Sequence, residues 1–115
     1  MREIKFRAWD KENKEMVEVE LLGKKVLLIK NGEWENIEDF EVMQFTGLYD
    51  INGREIYEWD IVECFNNGNS YVSFKGGVYG LVSDYGFVPF SDIHGKMKVI
   101  GNIYENHELL EGEGK

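Results

Sequence analysis

One cysteine, one proline and two histidines are all that this sequence of 115 residues holds of the types most used for crosslinks, rigid turns and metal binding. The lone Cys64 excludes an internal disulfide and a cysteine-based zinc site. His94 and His107 are too few for a histidine-built catalytic zinc site, which takes three protein ligands. No apolar run approaches the roughly 20 residues of a membrane-spanning helix. The opening M-R-E-I-K-F-R-A-W-D alternates charged and apolar residues and has no apolar stretch of the secretory kind, so the cytoplasm is the expected location and no membrane contact is expected. Cations are scarce as well. Thirteen Lys and Arg stand against 22 Asp and Glu, for a net charge of −9. That balance argues against non-specific affinity for nucleic acid, which needs cations facing phosphates.

Apolar residues make up 43% of the chain and glycine contributes 13 positions, enough for one core and many turns. Residues 4–9 alternate, with Ile4, Phe6 and Ala8 on one face and Lys5, Arg7 and Trp9 on the other, which predicts a half-buried strand. Asp10 to Lys14 is a polar turn, and Met16 to Leu22 returns with Val17, Val19 and Leu21 on one face. Val26 to Ile29 and the turn Asn31-Gly32 follow. Val42 to Leu48 and Glu55 to Phe65 are predicted strands around Asn52-Gly53, the preferred centre of a type I′ hairpin with positive φ at both residues. Asn66 to Asn69, Gly76-Gly77 and Asp84 to Gly86 mark further turns between strands at 70–75, 78–83 and 87–90. Pro89 assigns the last of these to a sheet edge. Met97 to Tyr104 is a final strand, and Glu105 to Leu110 a helical turn. No internal repeat, linker or low-complexity segment is visible. The expectation is a single mainly-β domain over 1–110 with a frayed tail at 111–115. Its architecture would be a small SH3-like or OB-like barrel with an N-terminal β-hairpin extension and one or two short helical turns.

Most candidate chemistry has a plainer explanation. Gly76 to Gly80 lacks the Lys-Ser/Thr and the helix of a phosphate loop. Asp92 and His94 could begin a metal site or a base–orienter pair, but a polar loop accounts for them better. Cys64 has acidic neighbours, Asp60 and Glu63, which suit packing rather than nucleophilic work. Asp60 with Glu58 or Glu55 could form a carboxylate pair, against the simpler role of a turn or strand-end aspartate. Tyr71, Phe74, Tyr79, Tyr85, Phe87 and Phe90 could stack bases, yet between Asp60 and Phe90 there is one lysine, Lys75, and core packing explains the rings better. The acidic stretch Glu33 to Glu41 stands apart. Trp34, Ile37 and Phe40 recur every three residues, which predicts a helical turn with all three on one side. Glu35, Glu38, Asp39 and Glu41 would then face water beside Trp34, the best continuous surface for a basic partner.

Three stretches together resemble the YopX family of small phage and prophage proteins. They are M-R-E-I-K-F-R-A-W-D at the start, M-Q-F-T-G-L-Y-D-I-N-G-R-E-I-Y-E-W-D-I-V from Met43 to Val62, and V-I-G-N-I-Y-E-N-H-E-L-L from Val99 to Leu110. The resemblance implies an SH3-like mainly-β protein carried in phage or prophage genomes, with no established activity and no catalytic residues to carry over. Trp59 departs from the family pattern, which has glycine before Asp-Ile-Val, and His107 stands where proline is usual. The leading functional expectation is a non-enzymatic accessory factor that binds a bacterial host or phage protein. A sharper form is an acidic decoy for a nucleic-acid-binding site on a host protein. The alternatives are a nucleic-acid-binding barrel and, last, a hydrolase using Asp60 or Asp92 with His94. No catalytic residue, cofactor or metal is assigned, and a homo-oligomer is compatible with this reading.

Overall fold

The computed structural model describes residues 3–64, 68–93 and 96–111. Their contacts fall into two compact units, Met1–Phe45 and Thr46–Lys115.

The first unit is an antiparallel sheet. Its strands are β1 (Phe6–Asp10), β2 (Glu15–Leu22), β3 (Val26–Ile29), β4 (Trp34–Asn36) and β5 (Phe40–Tyr49), the last belonging to it as far as Phe45. A 3₁₀ turn, Ile37–Asp39, joins β4 to β5. The strand order is β4-β3-β2-β1-β5. β1 pairs on both edges, with β2 and β5, and Ala8, Trp9 and Asp10 are all buried, so the half-buried strand of the alternation is a central one. The core gathers Ala8, Leu27, Ile29 and Phe40, with Val17, Val19, Ile37 and Val42 packed against it. Asp10 closes the β1–β2 turn: Oδ1 accepts the Glu12 and Asn13 backbone N–H groups, each at 3.0 Å, and Oδ2 the Asn13 amide at 2.9 Å. The Asn13 backbone bond is the largest influence on this carboxyl and, with the other two bonds, holds it below its ordinary range against the effect of burial. Leu21 does not share the face of Val17 and Val19. The β2–β3 register shifts between Val19 and Leu21, and Leu21 is 57% exposed.

The second unit holds the end of β5, then β6 (Glu55–Tyr57), β7 (Asp60–Cys64), β8 (Gly68–Lys75), β9 (Val78–Ser83), β10 (Gly86–Pro89) and β11 (Met97–Asn102). A second 3₁₀ turn, Phe90–Asp92, precedes β11, and the short helices α1 (Ile103–Asn106) and α2 (Glu108–Glu111) follow it. The order β10-β9-β8-β7-β11 places Pro89 on an edge strand, as its chemistry requires. Ile56, Val62, Cys64, Val72, Leu81 and Val99 form the core. Asn102 caps α1, its Oδ1 accepting from the Tyr104 and Glu105 N–H groups while its Nδ2 donates to Glu105.

Three expectations change here. The long strand Glu55 to Phe65 is two strands, broken at Glu58-Trp59, where Trp59 has φ +67°. The Asn52-Gly53 hairpin is not type I′: only Gly53 has positive φ (+81°), and its N–H closes the turn on the Asp50 carbonyl. A type I turn followed by a left-handed glycine fits that pattern. The paired positive φ values occur instead at Gly76 (+60°) and Gly77 (+86°), between directly paired Lys75 and Val78. Lastly, the mainly-β class holds but the barrel resolves into two open antiparallel sheets. One ends at β4 and β6 and the other at β10 and β11, without a closing pair among the described residues. The expectations for Phe65, Asn66, Asn67, His94, Gly95 and the tail 112–115 fall outside the described residues.

The two units share a plan that the residues do not advertise. In each, four strands run as a meander, a 3₁₀ turn follows, and a fifth strand returns beside the first.

Candidate interaction surface

Glu33 to Glu41 is half strand and half 3₁₀ turn, and this division decides where its side chains lie. The Asn36 side chain accepts the Glu38 N–H at 3.0 Å and starts the 3₁₀ turn, ending β4. Ile37 and Phe40 join the core as expected. Trp34 does not join them: it is 59% exposed, against 6% for Phe40. On β4 side chains alternate with period two, and the register pairs Trp34 with Leu28 rather than with core-facing Leu27. Leu28 in turn pairs with Leu21. Leu21, Leu28 and Trp34 therefore form a cross-strand apolar row on the face opposite the core.

Glu35 pairs with Leu27 and points to the other face, half-buried. Burial is the main cause that pushes its carboxyl above the ordinary range, helped by repulsion from Glu33, Asp10 and Asp39 and by a bond shared with Glu33. Glu38 and Asp39 are exposed on the 3₁₀ turn. Glu41 lies on β5 and is ion-paired with Lys11 at 3.5 Å, an exposed contact worth little to stability. Thus Glu35 interacts with Asp39 and Asp10 on one side of β4, Trp34 faces the other side, and Glu41 is partly neutralised. Asp10 is a member that the sequence reading missed. Only the paired strands bring it near Glu35, and the visible signal was no more than its polar turn.

The other candidates have structural roles. Asp60 is 1% exposed, and its Oδ2 accepts the Tyr57 N–H at 2.8 Å across the β6–β7 turn. Glu55 accepts the Tyr57 hydroxyl at 3.2 Å. Trp59, between these strands, donates its N–H to the Val72 carbonyl at 2.9 Å and accepts the Ile103 N–H at 3.0 Å. Its ring lies 5.5 Å from that of Tyr71. Cys64 is buried in the core. Asp92 is exposed on the second 3₁₀ turn, while its suggested companion His94 is outside the described residues. Among the described residues no three His, Cys, Asp or Glu side chains are placed to hold a metal ion. Tyr79 and Phe90 pack against the core, but Phe74 and Tyr85 are exposed, so core packing covers only some of the rings. An open cleft of ≈ 280 Å³ is lined by Asn69, Tyr71, Ser83, Asp84, Tyr85 and Leu110, among others, and the Ser83 hydroxyl there accepts the Tyr85 N–H at 3.1 Å.

Comparison with known proteins decides the ancestry. The family model described as YopX protein matches residues 5–111. The chain belongs to the YopX family. The crystal structure of protein EF1440 from Enterococcus faecalis is similar to it, with 28% identity, a TM-score of 0.74 and coverage of 96% of this chain and 99% of that one. Protein yopX from Bacillus subtilis shares the fold at 22% identity and a TM-score of 0.59, with 97% and 98% of the two chains covered. No curated protein matches. In this YopX-family chain Trp59 carries its positive φ at the turn between β6 and β7.

Proposed function

We propose that this YopX-family chain is a non-enzymatic protein-interaction module of phage or prophage origin. It acts in the bacterial cytoplasm on a host or phage protein. Trp34, Glu35, Glu38, Asp39 and Glu41 supply its contact surface. The observation that carries this reading is a tryptophan 59% exposed on an edge strand, flanked in the chain by Glu33 and Glu35, in a chain of net charge −9. Tryptophan is among the residues that most often anchor interfaces. The carboxylates would speed the encounter with a basic surface more than they tighten the complex. The test is affinity capture from infected or lysogenic cells, followed by association kinetics with the captured partner. Changing Glu35, Glu38 and Glu41 to Gln and Asp39 to Asn should slow association and flatten its salt dependence, since screening shortens from about 10 Å at 0.1 M to about 3 Å at 1 M salt. An unchanged rate would refute this surface. Binding of DNA or RNA by the unaltered chain at physiological salt would refute the acidic-partner reading as a whole.

A further inference from the structure

The end of the first unit's sheet at β4 differs from the other sheet ends. β10 carries Pro89, which has no N–H to offer. β11 is covered within its own unit: the Val99 N–H donates to Asp50 Oδ2 at 2.9 Å, and the Met97 carbonyl accepts the Ile51 N–H at 3.0 Å. β6 has its Tyr57 N–H taken by Asp60. β4 has neither proline nor lysine, and among the described residues no such bond covers it. Its hydrogen-bond alternation is set by the flanking bonds, Ile29 N–H to the Glu33 carbonyl at 3.0 Å and Ile37 N–H to the Lys25 carbonyl at 2.9 Å. In an antiparallel pair the bonding residues alternate, so Glu33, Glu35 and Ile37 turn their backbone groups toward β3. Trp34 turns its N–H and C=O outward and Asn36 its N–H, and these three groups meet no partner among the described residues; the Asn36 carbonyl is engaged as the N-cap of the 3₁₀ turn.

We infer that β4 is a docking edge for an extended, basic segment of a partner protein, which adds to the sheet as a sixth antiparallel strand of this unit. This rests on the interaction reading above and names the form of the partner. The added strand would bond to the N–H and C=O of Trp34 and to the N–H of Asn36. Its residue opposite Trp34 would lie on the face of the Leu21–Leu28–Trp34 row and would be apolar. Its neighbours, opposite Glu33 and Glu35, would lie on the other face and would be Lys or Arg. The pattern is basic, apolar, basic. A second copy of this chain fits poorly. Antiparallel pairing of β4 with itself would set Glu33 and Glu35 against the same acids, and opposed like charges destabilise a strand pair. The repulsion that Glu35 already feels from Glu33, Asp10 and Asp39 makes a cation the favoured neighbour.

The register allows a sharp test on the full chain. The probe is a short, end-blocked peptide of alternating lysine and valine, followed by titration and by hydrogen exchange of the Trp34 and Asn36 amides. In the added strand the valine N–H groups face β4 and the lysine N–H groups face away. Methylating the valine nitrogens should weaken binding by about tenfold or more, while methylating the lysine nitrogens should leave it within about twofold. Binding of the unmodified peptide should slow exchange at both amides. Equal binding by the two methylated peptides would overturn strand addition while leaving the acidic-surface reading intact. No binding by the unmodified peptide at low salt would overturn the inference. The acidic-surface reading fails separately, by an unchanged association rate of the charge-neutralised chain with its captured partner.

Discussion

Asp50 offers the most quantitative test of how the second unit is held together. It is 8% exposed and carries no paired cation as its main support. Its Oδ1 accepts the Asn52 and Arg54 N–H groups at 2.8 and 2.9 Å, and its Oδ2 the Val99 N–H at 2.9 Å. Burial alone would raise the carboxyl's pKa. The bonds from Val99, Arg54 and Asn52, with the charge of Arg54, outweigh that and hold it below the ordinary aspartate range. In Asp50→Ala, Asn52 and Arg54 are exposed and can turn to water, whereas the buried Val99 N–H loses its acceptor. An orphaned buried donor costs about 1–3 kcal/mol, and each lost bond to a charged group about 1.5–3 kcal/mol before water compensates. A total of about 3–5 kcal/mol is expected, a large share of the ~5–15 kcal/mol typical of a domain. Asp50→Asn should be intermediate in cost, because its single oxygen cannot serve both sides and its amide would meet a donor. Urea denaturation near neutral pH measures both. The pH dependence has a defined sign. The folded pKa lies below the unfolded one, so the unfolded chain takes up the proton first as pH falls. Stability from Asp50 is full above the unfolded pKa and is lost as pH drops through the folded pKa, below about pH 4. Asp50→Asn should remove that part of the acid sensitivity. Equal urea midpoints for wild type and Asp50→Ala, with Val99 amide exchange unchanged, would refute the reasoning.

Three further outcomes follow from the local geometry. At φ +67°, Trp59→Gly should be more stable than Trp59→Ala by about 1–2 kcal/mol, because both lose the ring and only alanine keeps the left-handed strain; an alanine variant at least as stable in urea would contradict this. Gly80→Ala should cost about 1–3 kcal/mol, since its Cβ would meet the Val88 carbonyl and the Phe87 ring; an unchanged thermal midpoint would show that this edge yields freely. Cys64, only 3% exposed, should react slowly with a thiol reagent at neutral pH and quickly in denaturant; rapid labelling of the folded chain would show that the β7 core opens readily.

What could be read from the residues was local. Alternation located the first three strands, and Gly76-Gly77 and Pro89 marked a turn and an edge, because each acts through its own backbone. What escaped was decided at a distance. Trp34 belongs to a three-residue rhythm in the chain, but pairing with Leu28 assigns it to the outer face. Leu21 is turned outward by a register shift that β3 imposes. The break at Trp59 was visible only as a departure from the family pattern, since nothing intrinsic to tryptophan announces a left-handed residue. The same limit applied to the candidate surface. Its acids were legible as a run, but the approach of Asp10 and the outward row of Leu21, Leu28 and Trp34 required the sheet.

The shared plan of the two units has a kinetic consequence. β1 and β7 each pair early with the next strand along the chain, then wait for β5 and β11 to return. Meander pairing is local and fast, whereas each return closes a long loop and carries the larger entropic barrier. On a ribosome, β1 cannot complete its second ladder until Phe40 to Gln44 have been made, nor β7 until Met97 to Asn102. Synthesis therefore imposes two separate pauses in which a central strand is half-paired. The first lasts until Phe40 to Gln44 are free to pair and the second until Met97 to Asn102 are, so each unit is exposed to misassembly in its own interval.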